Sequence, residues 1–157
     1  MKQVSLEPVV ILLVEDNPDH TELITRTLND HPIPNRIMHV TDGEAALDYL
    51  WRRAQFADPA TSPQPHVVLL DLQLPRLSGL EVLQAIKANA ETRHIPVVVV
   101  TTSSAESDVR AAYQQFANSY LVKPVDFQQF TQMMNDLGDY WLGWNQMQGH
   151  QQTISSS

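Results

Sequence analysis

Five residues of this chain could do chemistry together: the acid pair Glu15-Asp16, the lone acid Asp71, the hydroxyl of Thr101 and the amine of Lys123. Carboxylates are the hard oxygen ligands that Mg²⁺ takes while keeping several of its waters. Three acids crowded together repel one another unless a cation sits among them. An aspartate carboxylate can also act as a nucleophile and form an acyl phosphate. A hydroxyl and an ammonium then supply a hydrogen bond and a positive charge to the phosphoryl oxygens. These residue types therefore suit a site for a divalent cation and a phosphoryl group. Asp71 is the candidate nucleophile, and Glu15, Asp16 and Asp71 are the candidate metal ligands, joined by the backbone carbonyl of Gln73. Thr101 and Lys123 are the candidate phosphate contacts. Thr102 is adjacent to Thr101, and a one-residue slip would exchange them; Thr101 is preferred because it directly follows an aliphatic run.

Each of these residues ends such a run. Val9-Val10-Ile11-Leu12-Leu13-Val14 leads into Glu15, Val67-Val68-Leu69-Leu70 into Asp71, Val97-Val98-Val99-Val100 into Thr101, and Tyr120-Leu121-Val122 into Lys123. Aliphatic runs without alternation read as strands buried on both faces, as in parallel sheets. In open α/β sheets, ligands bind beyond the carboxyl ends of the strands. Between the runs lie helix signals. Asn17-Pro18 is a good helix start, with Leu23, Ile24, Thr27 and Leu28 as its inner face. Arg36 to Val40 reads as a short strand, and Asp42 can cap a helix carrying Ala45, Ala46, Tyr49 and Leu50. Residues 54–65 hold Pro59, Pro63 and Pro65 and read as a long loop. Leu80, Val82, Leu83 and Ile86 mark the next helix, 105–117 a weaker one, and the last runs from Asp126 to about Leu142. Five βα units with right-handed crossovers give an α/β, flavodoxin-like, doubly wound (βα)5 fold with a five-stranded parallel sheet of order 2-1-3-4-5. The expected domain spans 9–142, with a short tail at 1–8 and a flexible polar tail at 143–157. The Lys123-Pro124 bond is expected to be cis, aiming the ammonium back into the pocket.

Bulk composition narrows the possibilities. The chain has 157 residues, no cysteine and a net charge of −8. Disulfides and thiolate metal sites are excluded. With 10 Lys plus Arg against 18 Asp plus Glu and no basic cluster beyond Arg52-Arg53, nucleic-acid binding is not expected. No apolar stretch approaches the ~20 residues that cross a bilayer, and the N-terminus lacks the apolar core of a signal peptide. The expectation is a cytoplasmic protein without membrane contact. His20, His31, His39, His66, His94 and His150 lack i, i+4 pairing and read as surface or loop residues.

The motifs Leu13-Val14-Glu15-Asp16-Asn17, Leu69-Leu70-Asp71-Leu72-Gln73-Leu74-Pro75, Val99-Val100-Thr101-Thr102-Ser103 and Tyr120-Leu121-Val122-Lys123-Pro124 resemble those of the receiver domain of two-component response regulators. The resemblance covers about residues 9–142. It implies that Asp71 is the phosphoacceptor, that Glu15 and Asp16 bind Mg²⁺, that Thr101 and Lys123 are the switch hydroxyl and phosphate-binding lysine, and that Tyr120 is the aromatic residue whose rotamer follows phosphorylation. The long loop before strand 3, Thr101-Thr102-Ser103, Ala117-Asn118-Ser119-Tyr120 and Tyr140-Trp141 also resemble the small regulators paired with bacterial and cyanobacterial phytochrome kinases. That likeness implies a sensor histidine kinase as partner, a phytochrome among the candidates. It also implies a homodimer through the face of helix 4, strand 5 and helix 5.

On the last helix, Phe127, Phe130, Met134, Leu137 and Trp141 follow the spacing of a core stripe. Met133, Tyr140 and Trp144 form a neighbouring stripe, which is either a broad core face or a partner surface. Other functions compete with the leading one. A haloacid dehalogenase-type phosphatase also uses a strand-end aspartate, but would want a second acid where Gln73 stands. A flavodoxin would want a hydroxyl-rich phosphate loop where Glu15-Asp16 stands. A receiver-like scaffold that works without phosphorylation is the third alternative. A receiver phosphorylates and dephosphorylates itself and does not turn over an external substrate.

Overall fold

A computed structural model describes the backbone of residues 7–155 and the side chains of 7–145. Residues 1–6 of the expected N-terminal tail lie outside the described residues. The elements alternate: β1 (Val9–Val14), α1 (Pro18–Asn29), β2 (Asn35–Val40), α2 (Gly43–Leu50), a 3-10 turn at Ala54–Phe56, β3 (Val67–Leu70), α3 (Gly79–Ala88), β4 (Val97–Thr101), α4 (Glu106–Gln114), β5 (Ser119–Val122) and α5 (Phe127–Ser155). The strands are parallel and ordered β2-β1-β3-β4-β5.

Alternate residues of the buried strands serve opposite faces of the sheet. Leu12, Val14, Val68, Leu70, Val97 and Val99 pack with α2, α3 and α4 through Ala46, Leu50, Val82, Leu83, Ile86 and Ala112. Ile11, Leu13, Val67, Leu69, Val98 and Val100 pack with α1 and α5 through Leu23, Ile24, Leu28, Phe130, Met134 and Leu137. This is why the central strands carry unbroken aliphatic runs: neither face meets water.

Local chemistry fixes the helix starts. The Asn17 side chain accepts the N–H groups of Asp19 and His20, with Pro18 at the first helical position. Asp42 accepts from Ala45 N and Ser78 from Glu81 N. Asp126 likewise accepts from Gln129 N at the start of α5.

Three expectations need correction. The Lys123-Pro124 bond is trans, since no described peptide bond is cis; the four-carbon stem of the lysine is long enough to bring its ammonium into the pocket without one. Phe127 is 60% exposed rather than part of the core stripe, because it is the first residue of α5 and stands at the end of the sheet. Phe130, Met134, Leu137 and Trp141 are buried as that spacing requires, together with Leu142. Finally, α5 does not stop near Leu142 but continues as helix to Ser155, in place of an irregular tail from 143. No proline interrupts that stretch, and its Gln and Met residues are good helix formers.

Candidate functional site

Strand register assembles the site before any side chain is considered. Val14 pairs with Leu70, so Glu15 and Asp71 leave adjacent strands at the same level. Thr101 pairs with Val122, and Lys123 N donates to Thr101 O at 2.7 Å. The backbone continues each ladder one step beyond the strands, with Glu15 N donating to Val40 O and Asp71 N to Val14 O, both at 3.1 Å. Gly79 completes this platform. A Cβ there would lie 2.3 Å from Asp71 O and 2.5 Å from Leu72 Cα, so only glycine lets α3 begin against the Asp71-Leu72 backbone.

Lys123 is the centre of the arrangement. Its side chain is 1% exposed, and its Nζ donates to Glu15 Oε1 at 2.5 Å and to Asp71 Oδ2 at 2.9 Å. The other carboxylate oxygens are held by backbone: Gln73 N donates to Asp71 Oδ1 at 3.0 Å, and Asn17 N to Glu15 Oε2 at 3.1 Å. Asp16 stays exposed, while Glu15 and Asp71 are buried. Carboxylate oxygens of Glu15, Asp16 and Asp71 nevertheless lie within 4.8 Å of one another, a donor set that fits a hard divalent cation.

The two buried acids are shifted in opposite directions. Burial pushes Glu15 up to about 7, against the pull of Lys123. Burial acts in the same sense on Asp71, but the Gln73 N–H and Lys123, with help from the Thr101 hydroxyl, hold it below the usual carboxylate range. Asp71 is therefore ionised at neutral pH, where Glu15 is still titrating.

Thr101 is fully buried at the end of β4, whereas Thr102 faces outward and donates to the Gln73 side chain at 2.7 Å. Of the two threonines, Thr101 is the one whose hydroxyl reaches Asp71. Gln73 thus meets the site through its backbone N–H and Thr102 through its amide. Tyr120 is half-buried against the α2–α4 core, and its hydroxyl donates to Ser103 O at 2.8 Å, tying β5 to the loop before α4. On α5, Tyr140 is 62% and Trp144 40% exposed, while Met133 is half-buried against the α1–α5 core and is only partly a surface residue.

His20 corrects an expectation, being part-buried on α1, whereas His39 and His66 are exposed as a surface or loop reading requires. His20 Nδ1 lies 3.0 Å from Lys123 Nζ, and His39 Nε2 lies 2.8 Å from Glu15 O. His66 Nδ1 accepts from Val10 N at 3.0 Å. These residues are distant in sequence from what they touch, so a search for paired spacing on one helix does not find them. Asn17 and Ser103 were also missed as neighbours of the site, although both fall inside the motifs that define it.

A five-stranded parallel sheet of order 2-1-3-4-5, with an acidic cluster and a lysine at its carboxyl ends, defines the receiver class of signalling domains. The sequence profile of the response regulator receiver domain matches residues 11–135, and the chain belongs to that family. It is 44% identical over 143 residues to the probable methanogenesis regulatory protein FilR2 of Methanothrix harundinacea, covering 91% of this chain and 90% of that protein. It is 38% identical over 142 residues to the response regulator Rcp1 of Synechocystis, covering 90% and 95%. The structure of Mn²⁺-bound Rcp1 superposes with a TM-score of 0.81 over 86% of this chain and 95% of that one. The phosphorylated cyanobacterial phytochrome response regulator RcpA, 34% identical, superposes with a TM-score of 0.82 over 87% and 95%. Among the described residues, no helix is long and apolar enough to cross a membrane.

Proposed function

We propose that this chain is a response regulator that accepts a phosphoryl group on Asp71 from a sensor histidine kinase in a Mg²⁺-dependent step. The observation that carries this reading is the buried Lys123 ammonium bridging Glu15 and an ionised Asp71. An Asp71 oxygen attacks phosphorus, the bond from phosphorus to the donor's imidazole nitrogen breaks, and that nitrogen leaves. Asp71 is already ionised, so no base has to take a proton from it. Lys123 can turn from the Asp71 carboxylate toward the arriving phosphoryl oxygens, and the buried Thr101 hydroxyl can donate to another. Glu15, Asp16, Asp71 and the Gln73 carbonyl would hold Mg²⁺, which when bound neutralises charge on the transferring group. The Mn²⁺-bound form of Rcp1 supports a divalent ion here.

Phosphorylation would reposition Thr101 and the loop to which Tyr120 is tied, biasing the face made by α4, β5 and α5. That face carries exposed Tyr113, Phe116, Val122, Val125 and Phe127, and we read it as the surface for a second copy or a downstream partner. RcpA is a phytochrome response regulator, which makes a phytochrome-type kinase the first partner to try. Intact mass after incubation with acetyl phosphate and Mg²⁺ tests the reading. One phosphoryl adduct on the wild type, absent from Asp71→Asn and abolished by EDTA, is expected. No adduct on the wild type would leave a phosphorylation-independent scaffold.

A further inference from the structure

Lys123 has three N–H donors, and in a side chain this buried each needs an acceptor. Two are taken by the carboxylates of Glu15 and Asp71. The third group in reach is the imidazole of His20, on the first turn of α1, with Nδ1 3.0 Å from Nζ. Because an ammonium can only donate, Nδ1 must be the unprotonated nitrogen, which places the ring proton on Nε2. Burial and the nearby Lys123 both push the His20 pKa down, in keeping with a neutral ring. The ring is itself held in place. Its edge meets Phe130 of α5 with centroids 5.4 Å apart and planes at 68°, and the His20 backbone N–H is fixed by the Asn17 cap.

Resting on the reading of Asp71 as phosphoacceptor, we propose that His20 is a positioning residue for phosphoryl transfer: its Nδ1 accepts the third N–H of Lys123 and holds the ammonium over Asp71. The two carboxylates alone leave the ammonium, on its flexible four-carbon stem, able to settle toward either acid. A third acceptor, on a different element and fixed by an aromatic contact, determines where the ammonium sits. When a phosphoryl group arrives, Lys123 exchanges its Asp71 bond for a phosphoryl oxygen while His20 keeps the nitrogen in place. His20 touches neither phosphorus nor Asp71 and acts only through the lysine.

Two substitutions separate this role from simple packing. His20→Phe keeps a ring against Phe130 and removes the acceptor. His20→Asn discards the ring and retains an acceptor oxygen near the position of Nδ1. The phosphorylation rate constant with acetyl phosphate and Mg²⁺ is expected to fall about tenfold in the Phe variant and to stay within roughly threefold of wild type in the Asn variant. A packing role gives the reverse order, and that result overturns the proposal, as does equal loss in both variants. Nitrogen NMR of the wild-type imidazole supplies a second readout, which decides the matter should the Phe variant fail to fold. An unprotonated Nδ1 with a protonated Nε2 is expected, and a protonated Nδ1 overturns the proposal. Wild-type protein that takes up no phosphoryl group would sink the acceptor reading and this inference with it. Normal uptake with the wrong order of variants sinks the inference alone.

Discussion

Glu15 and Asp71 share one ammonium but are shifted in opposite directions. Both are buried, and burial disfavours the ionised form of each. Asp71 receives a backbone N–H on one oxygen and Lys123 on the other, and ends below its ordinary range. Glu15 receives comparable partners, yet burial dominates and lifts it to about 7. The consequence for stability has a definite sign. A carboxyl raised from its ordinary value of 4.5 to about 7 binds a proton in the folded state that the unfolded chain has already lost. Its contribution to stability therefore declines as pH rises through that window. A cation among the three acids reverses the preference, because it favours ionised Glu15 and competes with its proton. Mg²⁺ affinity should accordingly fall by about tenfold between pH 8 and pH 6, following the ionised fraction of Glu15. Calorimetric titration at the two pH values checks this. A constant affinity would mean that Glu15 is already ionised at pH 6, and the Glu15→Gln variant should lose the pH dependence along with most of the affinity.

At the scale of the element, α4 is the least secured helix. Ala105 stands at its N-cap with no side-chain hydrogen bond, and among its own residues only Ala112 is buried. The other α-helices whose caps are described start on Asn17, Asp42 and Ser78, each accepting from a following N–H. Ala105 already has the extended backbone of a cap, so Ala105→Ser needs no rearrangement. The substitution should stabilise the protein by about 1 kcal/mol, raising Tm by roughly 3 °C and slowing amide exchange selectively in α4. Thermal melts with hydrogen exchange decide it; an unchanged Tm would mean that Ser103, which accepts from Ala105 N at 3.4 Å, already caps the turn. The same comparison of caps and runs explains what could be read without a structure. Strands β1, β3 and β4 followed from unbroken aliphatic runs, their order from the βα alternation, and the pocket because each run ended on a group with chemistry. The start of α1 and its four inner residues came from Asn17-Pro18 and spacing alone. What stayed hidden depended on contacts between distant elements. His20 meets Lys123 only once α1 lies beside β5's end, Phe127 is exposed only because α5 begins beyond the sheet, and the length of α5 past Leu142 had no punctuating residue to announce it.

At the scale of the molecule, the apolar surface is unevenly placed. All seven large exposed apolar residues among the described residues, Tyr113, Phe116, Val122, Val125, Phe127, Tyr140 and Trp144, lie on or between α4, β5 and α5. Among the described residues β5 is also an edge strand, paired only with β4, and an open edge invites association unless it is covered. Phe116 sharpens the point. It sits past the end of α4 with φ of 68° and is 73% exposed, a left-handed position that glycine would occupy at less cost. Ala117 N donates to Ala112 O and Phe116 N to Tyr113 O, so the turn is a regular helix ending that tolerates the strained aromatic. A large ring held in water at a strained position makes sense if a partner covers it. Farther along α5, Tyr140, Trp141 and Trp144 stack edge to face with centroids 5.1 and 5.8 Å apart, the middle ring buried and the outer two at the surface. If this surface pairs two copies, Tyr140→Ala should weaken the dimer by about tenfold or more, the scale on which buried interface aromatics act, while leaving the monomer's Tm nearly unchanged because Tyr140 is 62% exposed. Sedimentation equilibrium with and without beryllofluoride measures this directly. A dimer constant unmoved by Tyr140→Ala but lost in Phe116→Ser would confine the interface to α4 and β5. A wild-type protein monomeric in both states would assign the apolar face to a different partner.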